Sequence, residues 1–266
     1  MLMLRSDDAE ISYEVRGEGP PVVLLHPFPC DHEFWFPAAG ALDSRYRLIL
    51  PDLRGHGDSE LGEGPALMAK HARDIARLLD AVGVGKAAFV GCSIGGYILF
   101  EFWRRFRERV SALAIIDSRP QADTPEARSN RLKAAATVLE QGTEPFLDAM
   151  IPKLMGRTTV ETRPDLVAGA RAMMRKMSAD DISQVQRGMA ERPDSVADLK
   201  TINIPTLIVI GEEDVLSTIA DGDLMRQSIA GSRLKLIPKA GHYSPWEQPA
   251  AVGMVLRQFL DDGGPR

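Results

Sequence analysis

Val90-Gly91-Cys92-Ser93-Ile94-Gly95-Gly96 joins two segments of different character. Before it, Ala87-Ala88-Phe89-Val90 is a short continuous apolar run, the pattern of a strand buried on both faces. After it, Tyr97-Ile98-Leu99-Phe100 opens a helical run that stays apolar until Arg104 and Arg105. The join reads Gly-x-Ser-x-Gly. A sharp strand-to-helix elbow forces its central residue into a strained backbone and lifts that side chain clear of the sheet. Gly91 and Gly95 suit such an elbow, because a Cβ at either would crowd the opposite limb of the turn. Ser93 then points its hydroxyl into a cleft. The N–H of Ile94, at the helix start, faces any negative charge that develops there. The competing reading is a glycine-rich turn with an incidental serine. The strand before and the helix after favour the elbow.

Working outward, alternation of secondary structure sets the fold class. Glu10 to Arg16 alternates polar and apolar, as a half-buried strand does. Val22–Leu25, Tyr46–Leu50 and Val110–Ile116 are further strands, and Glu33–Phe36 is a short helix or turn. Between Leu67 and Val82 apolar residues recur at helical spacing, and Gly83 ends the helix. Strands alternating with helices imply a mostly parallel central sheet flanked by helices. From Ser118 to Lys200 no strand is evident, and Pro125–Glu140, Glu144–Leu154, Pro164–Met177 and Asp180–Glu191 read as helices. This stretch is rich in methionine, including Met150, Met155, Met173, Met174, Met177 and Met189. Ordinary helical core accounts for most of them. The pattern also suits an inserted helical cap with a soft apolar underside. Alternation then resumes with strand Pro205–Ile210, helix Ser217–Ala230, strand Arg233–Ile237 and helix Pro249–Leu260. The expected organisation is a core of 1–117 and 201–266 with a cap at 118–200.

At 266 residues, 44% apolar and 26% charged, the chain can bury a sizeable core, and its net charge of −5 leaves no basic footprint for nucleic acid. No apolar run approaches the ~20 residues that span a bilayer. The first eight residues end in Asp7-Asp8, too early an acidic turn for a signal peptide. Cys30 and Cys92 make no disulfide framework, so a reducing cytoplasm is expected.

Catalytic groups of such sheets lie beyond the carboxyl ends of the strands. Ser93, Asp117, Asp214, His242 and His26-Pro27-Phe28-Pro29 all fall there. A serine hydroxyl needs a neutral imidazole within reach, and that imidazole needs a carboxylate to fix its tautomer. The chain order Ser93, Asp214, His242 fits such an assembly, while Asp117 is a second candidate acid. Beside Asp117, Ser118-Arg119 offers partners for a purely structural carboxylate.

The chain resembles the α/β-hydrolase family along nearly all its length, most of all its small bacterial esterases, enol-lactonases and cofactor-free perhydrolases. The resemblance rests on Gly91-Cys92-Ser93-Ile94-Gly95-Gly96, on Asp52-Leu53-Arg54-Gly55-His56-Gly57-Asp58-Ser59, on Gly211-Glu212-Glu213-Asp214 and on Gly241-His242. It implies Ser93 as nucleophile, Asp214 as acid and His242 as base, with the N–H groups of Phe28 and Ile94 facing an oxyanion. It implies hydrolysis of small carboxylic esters or lactones through an acyl-enzyme, without a cofactor. Aspartate would stand at the elbow of a dehalogenase or epoxide hydrolase of this fold. The chain departs from the family at His26-Pro27, where His-Gly is usual; the proline removes one N–H but leaves that of Phe28. It departs again after Asp214, where Val215-Leu216-Ser217-Thr218 replaces a common proline. The Phe28-Pro29 pair also suits perhydrolysis as a side activity. The rival from another class is a catalytically slow ligand receptor or interaction protein of the same fold.

Phe28, Trp35, Met150, Tyr243 and Trp246 are candidates to line a substrate pocket, with packing against the cap as the alternative for Trp35, Tyr243 and Trp246. His26 reads as a scaffold for its loop, and His56 as a brace partnered by Asp52 and Arg54. His32 and His71 carry no particular signal. No histidine or cysteine spacing fits a zinc site, so no metal is expected. The oligomeric state is open.

Overall fold

The computed structural model describes residues 1–263. In chain order they form β1 (Leu2–Ser6), β2 (Ala9–Arg16), β3 (Pro21–Leu25), α1 (Phe36–Ala39), β4 (Arg47–Pro51), α2 (Met68–Ala81), β5 (Ala87–Cys92), α3 (Ile94–Phe106) and β6 (Val110–Ile116). There follow α4 (Pro125–Gln141), α5 (Thr143–Leu154), α6 (Arg157–Thr162), α7 (Pro164–Met174) and α8 (Ala179–Ala190). The chain then returns through β7 (Thr206–Gly211), α9 (Ile219–Ser228), β8 (Arg233–Ile237), α10 (Ser244–Glu247) and α11 (Pro249–Gly263).

Among the described residues one eight-stranded sheet runs in the order β1-β2-β4-β3-β5-β6-β7-β8. β1 and β2 join it antiparallel, and β3 through β8 are parallel. The central strands are continuous apolar runs because both faces are covered. Alternate side chains enter two cores. Val23, Leu25, Phe89 and Ile208 pack with α2 and α3; Val22, Leu24, Val90 and Val209 pack with α1 and α11. The chain leaves β3 outward to β4 and comes back to β5 on the other side of β3. That reversal opens a crevice at the carboxyl ends of β3 and β5. Leu25 pairs with Gly91 there, so the loop after β3 and the elbow after β5 stand side by side.

The elbow is sterically tight. Ser93 has φ 54° and ψ −114°. A Cβ on Gly91 would lie 2.6 Å from the Gly95 carbonyl, as the crowding of opposite limbs requires. A Cβ on Gly95 would instead meet Leu25 O of β3 at 2.5 Å. The second glycine therefore answers to the neighbouring strand and not to the turn itself.

Two elements escape a reading by periodicity. β1 is an edge strand whose Leu2 and Met3 are both exposed, so no alternation marks it. α6, Arg-Thr-Thr-Val-Glu-Thr, has little helix propensity and is held from outside. The helix read as Pro164–Met177 stops at Met174, and its last turn leads into the capping box of Ser178 and Asp181.

Buried imidazoles hold the loop after β3. His26 is fully buried. Its Nε2 accepts from Leu53 N–H at 2.9 Å, so the proton sits on Nδ1, which lies 3.0 Å from Pro27 O. His56 packs edge-on to His26 and to Phe28, with ring centroids 5.1 and 5.8 Å away. Its Nδ1 bonds Arg54 O, whereas Asp52 bonds His32, at 2.7 Å from Nδ1. The expected Asp52 partnership of His56 is thus replaced by one with His32. Burial first, then the proximity of His56, pushes His26 down to about 3; burial pushes His56 down to about 4.

Two outcomes are expected. Gly91→Ala should lose about 1–3 kcal/mol by overpacking. Gly40→Ala, whose Cβ meets nothing within 4 Å at φ −57°, should hold or gain stability; urea midpoints of the two variants check both. The second outcome concerns pH. His26 stays neutral in the fold where the unfolded chain takes up a proton, so its contribution is lost as pH falls from ~6.5 toward 3. Urea midpoints between pH 4.5 and 7, roughly the window of that proton uptake, should rise less steeply with pH in His26→Asn than in wild type. Equal slopes would refute this.

Candidate active site

Three side chains from three strand ends meet above the sheet. Ser93 follows β5, Asp214 follows β7 and His242 follows β8. His242 Nε2 lies 2.7 Å from Ser93 Oγ, and His242 Nδ1 lies 2.8 Å from Asp214 Oδ2. All three are buried, with Ser93 8% and His242 2% exposed, so little water competes for these bonds. Asp214 Oδ1 accepts from Leu216 N–H at 2.7 Å and Ser217 N–H at 3.0 Å, which fixes the carboxylate plane. These bonds also resolve the missing proline: they turn the chain, and Asp221 then accepts Thr218 N–H at 2.8 Å to start α9.

Asp117 is engaged elsewhere. Its Oδ1 accepts from Gly211 N–H at 2.8 Å and its Oδ2 from Ser244 N–H at 3.0 Å. Its partners are therefore the ends of β7 and of the His242 loop, not the neighbouring Ser118 and Arg119 expected from sequence. Burial, then the charge of Asp214, pushes the Asp117 carboxyl well above its ordinary range. Ser118 Oγ instead donates to Ser93 O at 2.8 Å and clamps the elbow.

Two glutamates hold the loops around the imidazole. Neither was singled out by sequence reading. Glu247 accepts from Gly241 N–H at 2.9 Å and from Gly156 N–H at 2.8 Å. Glu213, beside Asp214, accepts from Thr158 N–H at 2.7 Å and from the Thr158 hydroxyl. Each ties the segment between β6 and β7 to a loop that carries Asp214 or His242.

A cavity of about 140 Å³ opens on Ser93 and His242. Phe28 and Met150 line it, together with Leu154, Met189 and Leu216. Ile94 has its side chain in the core, and as the first residue of α3 its N–H has no acceptor within the helix. Trp35, Tyr243 and Trp246 are corrections: none lines this cavity. Trp35 is 1% exposed and packs edge-on to Phe34. Tyr243 is fully buried and donates its hydroxyl to Phe28 O at 2.8 Å. Trp246 Nε1 donates to Leu166 O of α7 at 3.1 Å, which is the packing alternative. In their place the structure brings Tyr97, Arg119 and Arg131 to the cavity. A loop aromatic carries no periodicity to say which way it points, and an arginine in a helix reads as surface.

Among the described residues one trio capable of holding a cation comes together away from this cavity, Asp31, His32 and Asp52. Lys176 already supplies the positive charge, with Nζ 2.7 Å from Asp31 Oδ2 and 2.7 Å from Glu33 Oε2. Asp52, with His32 and Asp58 N–H on its two oxygens, is a brace of the loop. No described helix is long and apolar enough to cross a membrane.

This architecture has many relatives. The chain is 29% identical over 263 residues to 3-oxoadipate enol-lactonase 1 of Acinetobacter baylyi, covering 94% of this chain and 92% of that protein. Its structure superposes on a thermophilic esterase from Thermogutta terrifontis, solved with malate bound, at TM-score 0.93 and 36% identity, covering 97% of this chain and 95% of that one. It superposes on the enol-lactonase of Burkholderia xenovorans at TM-score 0.91 and 26% identity, covering 98% and 100%. The profile of the alpha/beta hydrolase fold matches residues 20–249, and the chain belongs to the α/β-hydrolase family.

Proposed function

We propose that the protein is a serine hydrolase of small carboxylic esters and lactones. The observation that carries this reading is the unbroken line Asp214–His242–Ser93, ending on a small cavity of mixed polar and apolar lining. The similarity to an enol-lactonase and an esterase supports it. Under this reading 118–200 is a cap over the core formed by 1–117 and 201–266, and substrate enters beneath it. Two buried free thiols, Cys30 and Cys92, suit a cytoplasmic setting.

His242 Nε2 takes the Ser93 proton as Oγ bonds the substrate carbonyl carbon, and the carbonyl electron pair moves onto oxygen. The N–H groups of Phe28 and Ile94 hold that oxyanion, each worth roughly 2.7–4 kcal/mol in such sites. Collapse breaks the bond to the leaving oxygen, which takes the proton from His242. Water then repeats the sequence on the acyl-enzyme, releasing the acid and restoring the Ser93 hydroxyl. Asp214 keeps the ring tautomer that leaves Nε2 free and balances the imidazolium. Hydrogen peroxide in place of water would release a peracid, which a peracid assay detects.

Ser93→Ala should lower kcat on short p-nitrophenyl esters by on the order of 10⁶, and Ser93→Ala/His242→Ala should be little worse. Turnover of Ser93→Ala within tenfold of wild type would end the proposal.

The two carboxylates should separate by property. Asp214→Asn should cost about 10⁴ in kcat. Asp117→Asn, which loses one buried acceptor, should show mainly as a loss of about 1–3 kcal/mol in urea unfolding. A larger kcat loss in Asp117→Asn would reverse the assignment.

Acyl length is the third measurement. A cavity of about 150 Å³ admits a molecule the size of benzene. Compact acyl chains should therefore be preferred, and kcat/KM should fall steadily from butanoyl to dodecanoyl esters. Preference for long-chain triglycerides would contradict this.

A further inference from the structure

Two guanidinium groups line the cavity that opens on Ser93, and no carboxylate among the described residues does. Arg119 and Arg131 belong to a cluster of three arginines around one aspartate. Asp123 and Arg192 are buried, 1% and 3% exposed at their side chains, and pair at 2.8 Å. Arg192 is further satisfied by the carbonyls of Met189 and Gln121 and by the face of Tyr97, 4.2 Å from its guanidinium carbon. One aspartate is thus neutralised by one arginine. Arg131 reaches the same carboxylate through Nε at 2.6 Å, and Arg119 touches it only at 3.4 Å. Arg119 Nε is buried with no hydrogen-bond partner. In the adjoining crevice the carboxylate is Glu101, which Arg104 and Arg105 already hold.

The cluster therefore presents a surplus of positive charge to a small cavity whose other walls include Phe28, Met150, Leu154 and Met189. That surplus stands out in a chain whose net charge is −5. A guanidinium partly withdrawn from water, as those of Arg119 and Arg131 are, gains by meeting an anion. Its planar fork matches a carboxylate with two parallel hydrogen bonds. Arg119 lies in the loop after β6 and Arg131 on α4, and the fold brings both to one wall.

We propose that Arg119 and Arg131 form a carboxylate subsite, and that the preferred substrates are small esters or lactones carrying a free carboxylate. This rests on the serine-hydrolase reading above and adds its substrate class.

The test compares matched esters on the whole protein. One pair differs in the acyl group, p-nitrophenyl hemiglutarate against p-nitrophenyl pentanoate. The other differs in the leaving group, the butanoyl ester of 4-hydroxybenzoate against that of 4-hydroxybenzamide. In at least one pair the acidic ester should be favoured in kcat/KM by about tenfold or more, through KM, as one or two charge-assisted bonds imply. Raising salt from about 0.05 to about 0.5 M should shrink that preference. Arg119→Gln and Arg131→Gln should each lower the acidic-to-neutral ratio by about tenfold, and Arg119→Lys should recover part of it, since charge returns without the fork. Glutarate should inhibit hydrolysis of the neutral ester competitively, and less so in Arg119→Gln. Neutral esters preferred in both pairs, or a ratio unmoved by both glutamine variants, would overturn the subsite while leaving the hydrolase intact. No Ser93-dependent turnover of any of the four esters would overturn the hydrolase reading itself.

Discussion

The tight approach of β5 to its neighbours is the constraint on which the site depends. There is no room for a side chain where Gly91 faces Gly95, or where Gly95 faces Leu25 of β3. Within that space the chain turns from strand to helix with Ser93 at φ 54°, a conformation that costs a non-glycine residue about 1–3 kcal/mol. The packing of β5 between β3 and β6 offsets that cost. The result is a hydroxyl raised above the sheet, at the start of a helix and beside the loop that follows β3.

Buried carboxylates then hold the surrounding loops. Asp117, Glu247 and Asp214 accept backbone N–H groups from Gly211, Ser244, Gly241, Gly156, Leu216 and Ser217. Loops at strand ends have backbone donors with no ladder partner, and a donor left bare in the interior is expensive. A carboxylate with two oxygens can serve two loops at once, which is how Asp117 joins the end of β7 to the start of α10. The expense is the burial of charge, visible in the upward push on Asp117 and on Glu247, in both cases with burial as the largest cause.

The segment between β6 and β7 is fastened to these same loops. Glu213 takes Thr158, Glu247 takes Gly156, Trp246 takes Leu166, and Lys176 pairs with Asp31 and Glu33. Three of the four attachments touch the stretch that carries Asp214 or His242. The walls of the cavity and the orientation of the imidazole therefore depend on one set of contacts. Met150, Leu154 and Met189 supply the apolar wall, while Met155, Met173, Met174 and Met177 are ordinary core.

The elbow, the apolar strands and the chain order of Ser93, Asp214 and His242 are legible in the sequence, because each is written in short stretches of residues. Burial on both faces writes itself as a continuous apolar run, and a strained turn writes itself as glycine around serine. Which strands lie together depends on packing between residues distant in sequence. The pairing of β3 with β5 brings Phe28 to Ser93, although β4 and α2 separate them along the chain. Asp214 and Asp117 both follow apolar strands, and the tertiary structure shows what faces their oxygens: the His242 imidazole for Asp214, the N–H groups of Gly211 and Ser244 for Asp117. It alone turned Trp35, Tyr243 and Trp246 away from the cavity and Arg119 and Arg131 toward it. A loop side chain has no period that fixes its direction, and its direction is set by neighbours that are distant in sequence.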